Sequence, residues 1–275
     1  MHKTTSATAA EDSPAPWPLR ALGAALAYLW SGWGAVASLL LFAALWEAAA
    51  QRYGSLILPG PREAISTLVA LLQSGVAQPE LLTSARRALG GLALAMGVCS
   101  VAGLAAGLSM TTAMVSRPLV TLLIGTPPIA WLVLAMLWFG MGDATAVFTV
   151  FIACLPLVFA AGLQGARTLD GQLRELARAY RLPRRMALTD VVLPHVLSYL
   201  FPAWITALGT AWKVVVMAEL LSTRDGIGAA LAVSRAQLDT ATSMAWIVAV
   251  IGLLLAVEYL LLEPIKRQLE RWRTA

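Results

Sequence analysis

Charge is scarce in this sequence. Asp, Glu, Lys and Arg make up 13% of its 275 residues, where a soluble domain carries roughly 25%. Cysteine is almost absent. Cys99 and Cys154 both lie inside apolar runs, which argues against a disulfide framework or a thiolate metal site and leaves them as small packing residues. The two histidines, His2 and His195, are too far apart in sequence to suggest a shared metal. The lysines are Lys3, Lys213 and Lys266, and none closes a Gly-x-x-x-x-Gly-Lys-Ser/Thr phosphate loop, so any ATP and Mg chemistry must sit on another chain. No Gly-x-Ser-x-Gly or His-Glu-x-x-His run is present, and the carboxylates within apolar stretches are scattered. An intramembrane hydrolase is therefore not expected. Alternation of period two is also missing, which argues against a membrane β-barrel.

What fills the chain is apolar. Hydrophobic residues make up 59% of it, and the mean hydropathy is +0.75. No charged residue falls between Arg20 and Glu47, Arg87 and Arg117, Arg117 and Asp143, Asp143 and Arg167, Asp190 and Lys213, or Asp239 and Glu258. A helix needs about 20 apolar residues to cross a hydrocarbon core of about 30 Å. The pattern predicts an all-α protein embedded in the lipid bilayer by about six transmembrane helices, over residues 34–51, 88–109, 118–139, 144–164, 196–221 and 243–262. Residues 1–18 read as a disordered polar tail. Residues 19–275 read as one transmembrane domain, with 19–32 at the interface and an external loop at 222–242. Ile65, Leu68, Val69 and Leu72 follow Pro61 at helical spacing, predicting a short amphipathic surface helix.

Several spans carry unusual residues. Gly103 and Gly107 form a small-xxx-small pair that lets another helix approach closely. Gly125-Thr126-Pro127-Pro128 interrupts the third span, because two prolines remove two backbone donors. The carbonyls freed there must be satisfied by protein or water, so this bend either lines a pathway or is a packing kink. Lys213 lies inside the fifth span, where a basic group costs about 2.5–3.5 kcal/mol on insertion scales. It either meets an anionic group in a pathway or pairs with a carboxylate of another helix. Glu219 is about 240° further around the helix and is no same-face partner. Thr126, Pro127, Pro128, Trp212, Lys213 and Glu219 form the candidate pathway set.

Basic residues crowd one loop. Arg167, Arg174, Arg178, Arg181, Arg184 and Arg185 lie between spans four and five, and Lys266, Arg267, Arg271 and Arg273 follow span six. The positive-inside rule then places that loop and both termini in the cytoplasm. Arg52, Arg62, Arg86 and Arg87 fall on the other side and count against this orientation. Within the loop, Asp170 can cap a helix, and Leu173, Leu176, Ala177 and Tyr180 give it an apolar face before Pro183 stops it. A short amphipathic helix of this kind docks on lipid or in a groove of a partner protein.

Here the sequence resembles a family. Glu175-Leu176-Ala177-Arg178-Ala179-Tyr180-Arg181, nine further residues and Val191-Val192-Leu193-Pro194 are similar to the EAA motif of bacterial ABC import permeases. Arg181 stands where the motif has Gly, which leaves the local turn geometry open. Leu58-Pro59-Gly60-Pro61, Ser84 to Leu94, Pro127 to Trp131, Phe139 to Gly142 and Ala211 to Leu220 resemble the nitrate/sulfonate/taurine-type permeases, so that the likeness covers roughly residues 35–265. The resemblance implies the type I importer permease fold in a bacterial inner membrane. It implies two permease copies, as a homodimer, with two ATP-binding cassette subunits below and a periplasmic or lipid-anchored substrate-binding protein above. Neither a cofactor nor a nucleic acid is implied for this chain. The 170–182 helix would be the coupling helix, with Glu175, Ala177, Arg178, Tyr180, Arg181, Leu193 and Pro194 as its contact residues. The solute would be small and anionic, such as nitrate, a sulfonate or a taurine-like compound. The alternative is a secondary transporter or channel not powered by ATP, which has no use for a docking helix at that position.

Overall fold

A computed structural model describes residues 37–168, 183–186, 189 and 192–257. The expected tail at 1–18, the interfacial stretch at 19–32 and the expected coupling helix, with Glu175, Ala177, Arg178, Tyr180 and Arg181, lie outside the described residues. The chain divides into two compact units, 1–61 and 62–275. In the first, helix α1 covers residues 37–53, and Leu39, Leu40, Leu41, Phe42 and Leu45 are exposed along it. Gly54, at φ +81°, turns the chain, and the Trp46 indole N–H donates to the Pro59 carbonyl at 2.9 Å, holding the turn against its own helix.

Every regular element among the described residues of the second unit is a helix. Helix α2 is Pro61–Gln73, with proline at its first position and Glu63 in its first turn, both favourable at a helix start. Helix α3 runs Ala77–Gly107 with a π-helical stretch at Ala95–Cys99. Helices α4 (Met110–Gly125) and α5 (Pro128–Phe139) follow. Then come α6 (Asp143–Arg167) and α7 (Leu193–Ser222). Helices α8 (Ile227–Ala236) and α9 (Thr240–Val257) complete the described chain. Among these residues α3, α6, α7 and α9 are long and apolar enough to cross a membrane, and the α4–α5 pair is a further broken span. They overlap the stretches expected as spans from residue 88 onward, whereas α1, which overlaps the stretch expected at 34–51, is not among the helices long and apolar enough to cross.

Helix α6 sits between α3 and α7. Small residues set the distance to α3. A Cβ on Gly103 would lie 2.3 Å from the Phe159 carbonyl oxygen, and one on Gly107 would lie 2.5 Å from Ala166 Cβ. Gly162 answers from α6, where a Cβ would meet the Ser100 carbonyl oxygen at 2.9 Å. The backbones thus approach as closely as membrane helices do through small-residue faces. The core proper is built from Leu92 and Cys99 of α3, Val150, Cys154 and Val158 of α6, and Val196, Leu200, Leu208, Trp212 and Val215 of α7. A second cluster joins Ala77, Ile227, Trp246 and Ala249, tying α3 to α8 and α9.

One feature departs from the sequence reading, and a second gives an expected break its geometry. The stretch expected as an external loop at 222–242 contains α8, whose first amide groups are satisfied by side chains from α3 and α7. That stabilisation is tertiary and leaves no local pattern. The third span is two helices with axes 93° apart. Thr126 precedes a proline and is held extended (ψ 122°), Pro127 continues extended (ψ 140°), and Pro128 opens α5. Steric exclusion of the residue before proline from the helical region accounts for the break.

Candidate functional site

One helix presents a polar face. Along α7, Ser198, Pro202, Thr206 and Lys213 are exposed and Thr210 is half-buried. Their spacing of four, four, four and three places them on one side of the helix. The exposed face of α5 is apolar, with Ile129, Val133 and Leu137, while that of α4 mixes Met114, Leu119 and Leu122 with Arg117 and Thr121. The hydroxyls are turned inward. Ser198 donates to the His195 carbonyl at 2.7 Å, Thr206 to that of Pro202 at 3.0 Å, and Thr210 to that of Thr206 at 3.1 Å. Lys213 makes no hydrogen bond or ion pair among the described residues.

The remaining members of the expected pathway set are dispersed. Trp212 and Glu219 are wholly enclosed and belong to the interior of the helix packing rather than to an exposed face. The Trp212 indole N–H has no acceptor among the described residues. Thr126 is half-buried and donates to the Leu122 carbonyl at 2.8 Å, while Pro127 is exposed and Pro128 half-buried at the α4–α5 break. Helix α5 reaches α7 further along, where Leu132 packs with Ala218 and Ala146.

Glu219 instead anchors a buried polar network that sequence reasoning missed. Its centre is Arg87, 2% exposed, on a face of α3 that also carries Glu80 and Ser84. Nε of Arg87 donates to Asp143 Oδ1 at 2.7 Å. Nη1 donates to Glu219 Oε1 at 3.0 Å and to the Asp225 carbonyl at 2.8 Å. Nη2 donates to Asp225 Oδ1 at 2.6 Å and to Asp143. All five guanidinium donors are thereby engaged. Exposed Arg86 adds a contact to Asp143 Oδ2 at 3.0 Å.

The same face caps α8. The Gly226 amide donates to Glu80, that of Ile227 to Ser84 Oγ at 2.8 Å, and that of Gly228 to Glu219 Oε2 at 3.1 Å. Ser84 in turn donates to Glu219 Oε2 at 2.6 Å. Gly226 has φ +94°, and a Cβ there would lie 2.4 Å from Glu219 Oε1, so glycine is required on both counts. The network joins α3, α6, α7 and α8 at one end of the bundle. The available signal is two unlike charges near the same ends of expected spans, Arg87 just before the second and Glu219 near the end of the fifth.

The other end of the α6–α7 pair flanks residues 169–192. Thr168 Oγ1 lies 3.3 Å from His195 Nε2. A Cβ on Gly165 would lie 3.3 Å from Val196 Cα and 3.4 Å from Tyr199 Cβ. Leu193 and Pro194, expected at the end of the coupling motif, form the first turn of α7.

Residues 99–274 match the family described as binding-protein-dependent transport system inner membrane component. The chain belongs to that family. The inner membrane component is similar to the taurine transport system permease protein TauC of Escherichia coli (strain K12), at 27% identity over 252 residues, 90% of this chain and 87% of that one. It is 29% identical over 221 residues to SsuC of Bacillus subtilis (strain 168), which is named for aliphatic sulfonates transport, covering 80% and 79% of the two chains. The nitrate import permease protein NrtB of Synechococcus elongatus (strain ATCC 33912 / PCC 7942 / FACHB-805) is 24% identical over 206 residues, 70% and 73% of the two chains. The inner membrane component is thus an all-α, multi-pass ABC importer permease of the nitrate/sulfonate/taurine type. It is the membrane part of such a system and not its catalytic subunit.

Proposed function

We propose that this chain is the translocating subunit of an ATP-driven importer that carries a small anionic solute, nitrate-, sulfonate- or taurine-like, through a bacterial inner membrane. Segment 170–182 docks on a separate ATP-binding subunit, which holds ATP and Mg. Glu175, Ala177, Arg178, Tyr180 and Arg181 supply the contacts, and Leu193-Pro194 leads into α7. Both termini and this segment face the cytoplasm. A substrate-binding protein delivers the solute at the opposite face, and two permease copies enclose the path.

The observation that carries this reading is how the helices on either side of the segment are held. It joins two antiparallel helices that touch directly beside it, through Gly165 against Val196 and Thr168 against His195. Their other ends are bound together through Arg87, with Asp143 on α6 and Glu219 on α7. A force applied to the segment is therefore delivered to a pair clamped at both ends, as alternating access by rigid-body rocking requires.

The test is to extract the C-terminally tagged protein from its native membrane in mild detergent and identify what accompanies it. An ATP-binding subunit that co-purifies, and is lost in Glu175→Arg, supports the reading. Recovery of the intact permease alone from membranes containing no ATP-binding partner overturns it and leaves a secondary transporter.

A further inference from the structure

An α-helix of the length of Leu193–Ser222 is about 45 Å long, which places Lys213 about 8 Å from its midpoint and within the ~15 Å half-thickness of the hydrocarbon core. An ammonium group at that depth is costly against lipid. No carboxylate of the described residues neutralises it: the carboxylates of Asp143, Glu219 and Asp225 are committed to Arg87. The residues sharing its face are Ser198, Pro202, Thr206 and Thr210, whereas the exposed positions of α5, the span that packs on α7 at Leu132 and Ala218, are apolar: Ile129, Val133, Leu134, Leu137, Trp138 and Phe139. Because each of the three hydroxyls donates to a backbone carbonyl of its own helix, Lys213 is the sole cationic donor on this face.

We propose that this face of α7 is a water-lined wall that selects for anions, with Lys213 as its specificity-determining residue. The ligand class is a small oxyanion, sulfonate, nitrate or carboxylate, met in transit by the ammonium group alone. This rests on the reading of the chain as a permease and assigns that permease's charge selectivity to one side chain.

Thiol labelling tests the wall without any partner subunit or known solute. Cys99 and Cys154 are buried, so the natural chain supplies a quiet background. Thr206→Cys and Thr210→Cys are made singly, with Leu137→Cys on the apolar face of α5 as the lipid-facing control. Membranes containing the full chain are treated with two small methanethiosulfonates, one carrying a sulfonate and one a trimethylammonium group. Each rate is measured with Lys213 intact and again in Lys213→Met and Lys213→Arg backgrounds.

The α7 positions are expected to react with both reagents and the α5 control with neither. Residues three apart on a helix lie about 5–6 Å apart, so the ratio of anionic to cationic rate at position 210 is expected to fall on the order of tenfold in Lys213→Met. Lys213→Arg is expected to preserve it. Protection of both α7 positions from charged reagents, while membrane-permeant N-ethylmaleimide still modifies them, overturns the aqueous wall. A rate ratio indifferent to Lys213→Met overturns the selectivity. Should labelling succeed while no ATP-binding subunit co-purifies, the anion path stands and only its energy source is reassigned.

Discussion

Arg87 shows how burial changes what a charge is for. Counted along the chain it is one more basic residue near a span end. In the fold it is 2% exposed and its five donors meet three carboxylate residues from three different parts of the chain. Removing one partner of a buried ion pair strands the other, at a cost of about 3–5 kcal/mol. Arg87→Met is therefore expected to destabilise the protein by that order, read as a lower unfolding midpoint in detergent, because it leaves Glu219 buried without its cation. Arg87→Lys is expected to recover only part of the loss, since an ammonium has three donors and no planar fork. Lys213 is the opposite case. Its depth and lack of a same-face carboxylate were legible in sequence, whereas Glu219 and Trp212 share its helix but point into the core, which only packing could separate.

At the scale of elements, the α8–α9 junction is informative. Helix α8 ends in a Schellman arrangement: the Leu238 amide donates to the Arg235 carbonyl at 3.1 Å and that of Asp239 to the Ser234 carbonyl at 2.9 Å. The residue in the left-handed position is Leu238, at φ 57°, where glycine is favoured. Its side chain is 84% exposed, so little packing offsets the strain. Leu238→Gly is expected to raise stability by about 0.5–1 kcal/mol, seen as a higher melting midpoint. Asp239 then caps α9, accepting from the Thr242 amide at 3.0 Å. That hydrogen bond holds its carboxyl below the usual carboxylate range. A depressed pKa means the cap contributes fully above the unfolded value of about 3.9 and is lost as pH falls through the folded value. Protection of the Thr242 amide against hydrogen exchange should therefore decline in acid, and Asp239→Asn should remove that pH dependence while keeping a cap. The spans and the α4–α5 break were legible because apolar run length and paired prolines act locally. Helix α8 was not, because its capping groups come from α3 and α7.

Across the whole molecule, the two ends of the α6–α7 pair are held by different physics. One end is a saturated network of charges, the other a close backbone approach at Gly165. The second is the end beside the proposed coupling segment. Gly165→Leu must force α6 and α7 apart there, because a Cβ already lies 3.3 Å from Val196 Cα. Once an ATP-binding subunit is in hand, this variant is expected to retain it on purification and to hydrolyse ATP with several-fold less solute moved per turnover. Loss of the subunit itself would instead place Gly165 in the docking surface. The family was legible because the EAA-like spacing and the paired prolines survive in the linear order of residues.

The sequence by itself determined that this is a helical membrane protein with a broken third span, a basic loop after the fourth and a lysine inside the fifth. Those properties follow from hydropathy over about 20 residues and from the backbone chemistry of proline, which need no partner in space. Only the tertiary structure decided which charges neutralise one another, that α8 exists, and which face of α7 is left open. Each of these depends on groups far apart in sequence, such as Ser84 and Glu219, reaching hydrogen-bonding distance in a medium where an unpaired polar group is costly.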